Sequence, residues 1–408
     1  MLQSRADGGS SSVAERLTVA QDVVGSIPTR RPNSSTDRAP RQSVSVTSYS
    51  EKNANSGQPP GEIRPWLTAF EPRRGLSNAH LQTIVGNFLP RRAFDLDSLA
   101  ETVEVDPKDG SRVLCHCHWQ DIADRGARLT LVLVHGLEGS SNSRYICGIA
   151  QRAWNAGFNV IRMNMRNCGG SERLTPTLYH SGLSGDVGAV VSHFTRRFGL
   201  ERVALVGYSM GGNLVLKLAG EWGIRPPLAA VAAVCPVIDL APSADALHER
   251  SNRLYEIHFL RGLMQRFRRK AQLFPSIYQA NGLGPVRSIR EFDDKIVSRY
   301  CGFRDADDYY DRVASARVID GIAVPTLVLR ALDDPFIRLL PQTRVRLLAN
   351  PSVSLVETTH GGHCAYLGRG DGDKIHWAEA AVVCYAQTIA GHAPFASQPS
   401  QPAPSKLQ

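Results

Sequence analysis

The sequence predicts an α/β fold: a mostly parallel sheet with an N-terminal antiparallel hairpin, helices on both faces and a helical insertion over the strand ends. Three observations point there. Short apolar runs at 129–134, 159–163, 203–206, 229–234, 326–329 and 352–356 read as strands buried on both faces. Helical stretches near 145–156, 183–197, 210–220 and 375–390 fall between or after them, and such alternation gives a parallel sheet. A glycine-rich turn, Gly207-Tyr-Ser-Met-Gly211, sits where one of these strands runs into a helix.

Taken in order, residues 1–61 are rich in Ser, Arg and Pro, lack sustained periodicity and are expected to be disordered. Within them, 11–31 resembles the peptide obtained when a transfer-RNA gene is read as protein. The expected true start therefore lies downstream, at a non-Met codon, since the next methionine is Met163. The folded domain is expected over 62–392, followed by a disordered Pro/Ser/Gln tail at 393–408. Around 70–84 a short helix is expected to lie on the domain, ending before Pro90. Runs at 102–105 and 112–119 alternate on either side of the turn signal Pro107-Lys-Asp-Gly110, as arms of an antiparallel hairpin. Between the fourth and fifth parallel strands, about 241–321 forms an insertion with helical periodicity over 252–272 and another helix from Asp307. An insertion there overlies the carboxyl ends of the strands, where open α/β sheets bind ligands, and is expected to act as a lid.

Bulk properties narrow the function. A chain of 408 residues, 42% hydrophobic and 21% charged, has the balance of a soluble globular protein with one large α/β domain or two smaller ones. The net charge of +9 favours anionic surfaces such as membrane headgroups. No nucleic-acid partner is expected, because no recognised module or aromatic-interleaved basic patch accompanies the charge. Over 248–270, seven Arg or Lys stand against two Glu and interleave with Leu254, Tyr255, Phe259 and Phe267. That pattern reads either as a cationic lid making peripheral membrane contact or as a solvated basic face on a core-packed helix. The longest apolar run, 228–240, contains Pro236 and Asp239 and is too short to span a bilayer. Residues 1–60 lack the apolar region of a signal peptide. The eight cysteines form no C-x-x-C pair, so reduced thiols and a cytoplasmic location are expected. Cys115-His-Cys-His118 alternates along a strand, both cysteines on one face and both histidines on the other, and is read as structural. No metal or cofactor is expected, and the sequence carries no signal for an oligomeric state.

The glycine-rich turn matters for chemistry. G-x-S-x-G between strand and helix makes a turn so sharp that side chains flanking the serine would collide, and glycines at 207 and 211 relieve this. Ser209 Oγ is then held out of the turn, but a hydroxyl needs a base to become a nucleophile. His360-Gly-Gly-His363, after the last strand, supplies two candidates; His363 is favoured because Gly361 and Gly362 let the loop return over the turn. The carboxylate that orients the base should follow the penultimate strand, where Asp333 and Asp334 stand. The Asp-Pro step of the acid loop usual in such enzymes favours Asp334, with Asp333 capping the next turn. An oxyanion needs two N–H donors: Met210 supplies one, and Leu137, in Val134-His-Gly-Leu-Glu-Gly139, is the candidate for the other. His135 is expected to shape that loop.

With these residues in hand, the chain resembles the YheT-like branch of the α/β-hydrolases, related to the plant Emb8 and animal ABHD esterases. The resemblance covers about 65–390 and rests on Asn78-Ala-His-Leu-Gln-Thr-Ile84, His135-Gly-Leu-Glu-Gly-Ser-Ser141 with Tyr145, and Asn164-Met-Arg-Asn-Cys-Gly-Gly170. It continues through Leu178-Tyr-His-Ser-Gly182, Gly207-Tyr-Ser-Met-Gly-Gly-Asn213, Asp308-Tyr-Tyr310 and Asp333-Asp-Pro-Phe336. It implies the α/β-hydrolase fold and hydrolysis of short- to medium-chain esters or monoacylglycerols by Ser209, Asp334 and His363. Against the H-x-x-x-x-D pattern associated with relatives, His180-Ser-Gly-Leu-Ser-Gly-Asp186 has one residue too many. Gly185 stands where its Asp would be, so His180 is expected to shape the pocket and Asp186 to cap the following helix. The leading expectation is a serine carboxylic-ester hydrolase acting on a small ester or lipid. An acyltransferase to an alcohol or lysolipid on the same residues, or a non-catalytic binding protein of this fold, are the alternatives.

Overall fold

The computed structural model of the chain describes residues 67–89, 100–121, 123–370 and 375–391. The expected extension at 1–61 and the tail at 393–408 lie outside the described residues. The strands are β1 (Glu101–Val105), β2 (Val113–His118), β3 (Thr130–Val134), β4 (Asn159–Met163), β5 (Val203–Tyr208), β6 (Leu228–Val234), β7 (Thr326–Ala331) and β8 (Val353–Thr358). They form one sheet in the order β1-β2-β4-β3-β5-β6-β7-β8. β2 pairs antiparallel with β1 and β4, and every other pairing is parallel. The hairpin and six parallel strands are where the sequence places them. β5 and β7 run two residues further than expected, because their ladders continue through Tyr208 opposite Val234 and Ala331 opposite Thr358.

The longer helices are α1 (Ala79–Phe88), α2 (Arg144–Asn155), α3 (Ser184–Phe198), α4 (Met210–Trp222), α5 (Leu240–His248), α6 (Arg253–Leu273), α7 (Ala306–Val313), α8 (Pro341–Ala349) and α9 (Trp377–Ala390). Successive residues of a strand point to opposite faces, which explains why the central strands are apolar throughout. Leu131, Leu133, Val206 and Leu329 join one buried layer with Ile146 and Ile149 of α2 and Val382 of α9. Val132, Val134, Leu205 and Val231 join the other with Val190 and Phe194 of α3 and Leu214 and Leu218 of α4. Burying each such side chain stabilises the fold by about 1.5–3 kcal/mol.

The insertion between β6 and β7 contains α5, α6, a π-helical turn at Asp293–Ser298 and α7. Helix α6 lies within one residue of its expected span. It buries Leu263 and Phe267, and its basic residues divide. Lys270 is buried and donates to the carbonyls of Glu172 (3.1 Å) and Thr175, and Arg266 turns inward as well, whereas Arg261 and Arg268 are exposed. Cys115 and Cys117 are both core residues. His118, on the opposite face, is also buried, and Arg162 Nε donates to its Nε2 (3.1 Å).

Candidate active site

Strand order reverses between β3 and β5, because the chain leaves β3 toward β4 and returns on the other side. Open sheets bind ligands in the crevice at such a point. Val134 is level with Gly207, Tyr208 with Val234, and Ala331 with Thr358. The loops carrying Leu137, Ser209, Cys235, Asp334 and His363 therefore leave one edge of the sheet.

Ser209 has φ 54° and ψ −117°, a conformation that side-chain-bearing residues adopt under constraint. Its N–H donates to Val234 O (2.9 Å), and its carbonyl accepts from Asn213 N (3.2 Å) and Val237 N (3.3 Å). A Cβ on Gly207 would run into the Gly211 carbonyl oxygen, which accounts for the first glycine as expected. The second glycine has a different reason. A Cβ on Gly211 would collide with the carbonyls of Val134 and His135, so the turn is packed directly against the loop after β3.

That loop is pinned by side chains. Gly136 N donates to Tyr145 Oη (2.8 Å), and Gly139 N to Gly136 O (3.1 Å). His135 is fully buried; its Nε2 accepts from Met165 N (3.1 Å), so Nδ1 carries the proton and donates to Gly136 O (2.8 Å). Burial lowers its pKa to about 4, which keeps the ring neutral and in a shaping role. Leu137 and Met210 border the same cavity as Ser209.

Of the two histidines after β8, His363 meets Asp334, with Nδ1 2.8 Å from Oδ2. Nδ1–H donates to the carboxylate, and the other ring nitrogen, Nε2, lies 3.7 Å from Cys364 Sγ. Burial disfavours charge on this ring, but Asp334 outweighs burial and holds the pKa above its ordinary value. Asp334 Oδ1 also accepts from Phe336 N (3.1 Å) and Ile337 N (2.9 Å). The turn cap expected of Asp333 thus belongs to Asp334, one carboxylate serving both tasks because its oxygens face opposite ways. Asp333 Oδ1 instead accepts from Gly362 N (3.0 Å), with Oδ2 3.4 Å from His360 Nδ1. Helix α1 props the same loop. Thr83 Oγ1 accepts from His363 N (2.9 Å), and buried Gln82 exchanges two bonds with Leu367 (2.8 and 3.1 Å).

The cavity beside Ser209 encloses about 980 Å³, counting its open mouth. The insertion supplies much of its wall, including Leu240, Ala244, Phe259, Leu263 and Phe267. His180 borders it too, with its ring edge-on to Phe303 and Tyr309. Asp186 does not cap α3. Its carboxylate takes Arg166 Nε (2.6 Å) and Nη2 (2.5 Å), since a buried guanidinium needs a buried counter-charge.

Three groups at the site have no role assigned from the sequence. Arg266 of α6 donates to Glu138 Oε1 (3.0 Å) and to Asn167 O, and Tyr179 Oη donates to the same Glu138 oxygen (2.6 Å), tying the insertion to the loop after β3. Asp293 borders the cavity and accepts from Tyr310 Oη (2.7 Å). Burial pushes its carboxyl up to about 7, against the opposing pull of Tyr310 and Arg290. Cys235 and Cys364 meet beside His363 from the loops after β6 and β8, Cys364 N donating to Cys235 Sγ (3.3 Å). The quoted motifs hold Glu138, Asn167, Tyr179 and Tyr310, but nothing in the spacing pairs them with Arg266 or Asp293.

The alpha/beta hydrolase fold family matches residues 130–369. The protein named "Putative esterase YheT" of Escherichia coli (strain K12) is 33% identical over 321 residues, covering 77% of this chain and 91% of YheT. Phospholipase ABHD3 of Mus musculus is 30% identical over 248 residues, 60% of each chain. The monoacylglycerol lipase of Saccharomyces cerevisiae is 27% identical over 250 residues, covering 59% of this chain and 55% of the lipase. The alignments thus take in nearly all of YheT and a little over half of the other two. Sheet order and sequence likeness agree, and the chain belongs to the α/β-hydrolase fold family, in the branch that contains YheT.

Proposed function

We propose that the protein is a serine carboxylic-ester hydrolase that works through an acyl-enzyme on short- to medium-chain esters or monoacylglycerols. The observation that carries this is the 2.8 Å bond from His363 to Asp334 at the sheet edge that also presents the strained Ser209. His363 Nε2 takes the Ser209 proton as Oγ attacks the ester carbonyl. The oxyanion is held by the N–H groups of Leu137 and Met210, the latter at the positive end of α4. Collapse releases the alcohol with the proton from His363. Water, deprotonated by the same nitrogen, then frees the acid and regenerates Ser209. Asp334 keeps the tautomer and steadies the imidazolium. The apolar wall given by α5 and α6 suits an acyl chain, with the insertion acting as a lid, and the lipid substrates in the names of two relatives agree with that class.

The test is a rate series over p-nitrophenyl esters from acetate to palmitate, with Ser209→Ala beside it, and labelling by a fluorophosphonate probe. We expect hydrolysis that falls at least about 10⁴-fold in the variant, and a single label on Ser209. A well-folded protein that neither takes the label nor turns over any ester would remove the proposal. An acceptor alcohol added in competition with water separates hydrolysis from acyl transfer by the partition of products.

A further inference from the structure

We propose that Cys235, His363 and Cys364 together form an inhibitory binding site for a thiophilic divalent cation such as Zn²⁺. Both Sγ atoms and a ring nitrogen of His363 lie within 4.8 Å of one another. The pair from His363 Nε2 to Cys364 Sγ is 3.7 Å apart. Tetrahedral zinc, with Zn–S of about 2.3 Å and Zn–N of about 2.0 Å, sets its ligand atoms about 3.6 Å apart. That pair already has this separation, and with every ligand atom within 4.8 Å of the others, closing the cluster asks for small side-chain shifts only.

The backbone holds the two thiols in this place. Cys235 and Cys364 have φ of 44° and 61°, the left-handed region that residues with a Cβ rarely occupy. The bond from Cys364 N to Cys235 Sγ joins the loop after β6 to the loop after β8. On the far side of the imidazole, Asp334 accepts the Nδ1 proton, which is the outer partner that metal-bound histidines use to fix their tautomer. The site is reached from the solvent side, because His363 keeps 12% of its side chain exposed and Cys364 is only partly buried.

Binding forms two Zn–S bonds and one Zn–N bond, releases the two thiol protons to solvent and changes no oxidation state. A fourth position is left for water. Nε2 has one lone pair, and a cation that holds it prevents the ring from taking a proton from Ser209. The inhibitory consequence therefore rests on the esterase reading above, whereas the binding does not.

Co²⁺ serves as the optical probe and Zn²⁺ as the inhibitor, both with the full chain kept reduced by a phosphine. Titration with Co²⁺ is expected to raise a thiolate-to-metal absorption band in the near ultraviolet at one equivalent, in the wild type and equally in Ser209→Ala. Cys235→Ala and Cys364→Ala, checked for intact melting, should each lose the band. Zn²⁺ should inhibit ester hydrolysis reversibly, with relief by EDTA, and half-inhibition in each cysteine variant should need at least about tenfold more metal. No band in the wild type, or equal zinc sensitivity in the wild type and both variants, overturns the proposal. A band in a protein that hydrolyses no ester leaves the metal site standing and removes only the esterase reading.

Discussion

Asp333 and Asp334 are adjacent, chemically identical and differently employed, and the difference can be measured. Asp334→Asn loses the acceptor that sets the His363 tautomer, so kcat is expected to fall by about 10⁴-fold. Asp333→Asn keeps an acceptor for Gly362 N and should cost far less. A base must be unprotonated to work, and the His363 pKa lies above 6.5. The kcat/KM profile should therefore rise with pH through a midpoint above 6.5, and Asp334→Asn should move that midpoint down. Asp293 makes a different pH prediction. Below 3.8 it is protonated whether folded or unfolded; between 3.8 and about 7 only the unfolded chain releases the proton, so stability falls as pH rises across that window and stays lowered above it. Asp293→Asn removes the ionisation and keeps an acceptor for Tyr310. Melting at pH 8 relative to pH 5 should improve over the wild type by about 2–4 °C, and an unchanged difference would contradict the buried acid. Ser209 and His363 were legible because the turn demands glycines and each residue follows an identifiable strand. The division between the two aspartates was not, since it depends on which way each carboxylate points. Nor were Asp293 and the Cys235–Cys364 pair, whose burial and meeting are products of the finished fold.

Between elements, the decisive contact is Gly211 against the carbonyls of Val134 and His135. Gly211→Ala must push the loop after β3 away, at a cost of about 1–3 kcal/mol, with slowed acylation. Urea unfolding at an unchanged slope and the rate of fluorophosphonate labelling would show both effects, and a variant matching the wild type in each would refute the packing argument. The inward turn of Arg266 and Lys270 removes two cations from the outer face of the insertion. Peripheral membrane docking, still a proposal, then depends on exposed residues such as Arg261 and Arg268. Co-sedimentation with anionic vesicles is expected to weaken in Arg261→Gln/Arg268→Gln, and binding insensitive to salt and to these changes would leave only the solvated-face reading. Helices with a wide apolar stripe, such as α2 and α6, were readable to within a residue or two. Helices α5 and α8 were not: α5 carries Pro242 in its first turn, and α8 buries only Thr343 and Leu347, too thin a stripe to show a period.

At the scale of the whole molecule, the sheet edge holds the reactive groups and the insertion shapes the space in front of them. Ala244 borders the cavity from α5. Ala244→Trp should shorten the preferred acyl chain, lowering the ratio of decanoate to butyrate hydrolysis by at least about tenfold, since each methylene refused by a pocket is worth about 1–3 kcal/mol. An unchanged ratio would place the acyl chain elsewhere. Among the described residues, no helix is long and apolar enough to cross a membrane. The sheet was legible from the sequence because its strands are continuously apolar. The place of the cavity under the insertion was legible too, but its lining was not, because its walls come from segments that meet only when the insertion is folded. The contact at Gly211 bears on descent as well as stability. With two carbonyls filling the space of one missing methyl, neither loop can drift unless the other drifts with it. A lineage changing its diet of substrates has easier routes in 241–321, which faces the serine across open space and can be rewritten wherever the ties from Arg266 to Glu138 and from Asn252 to Pro335 O are kept.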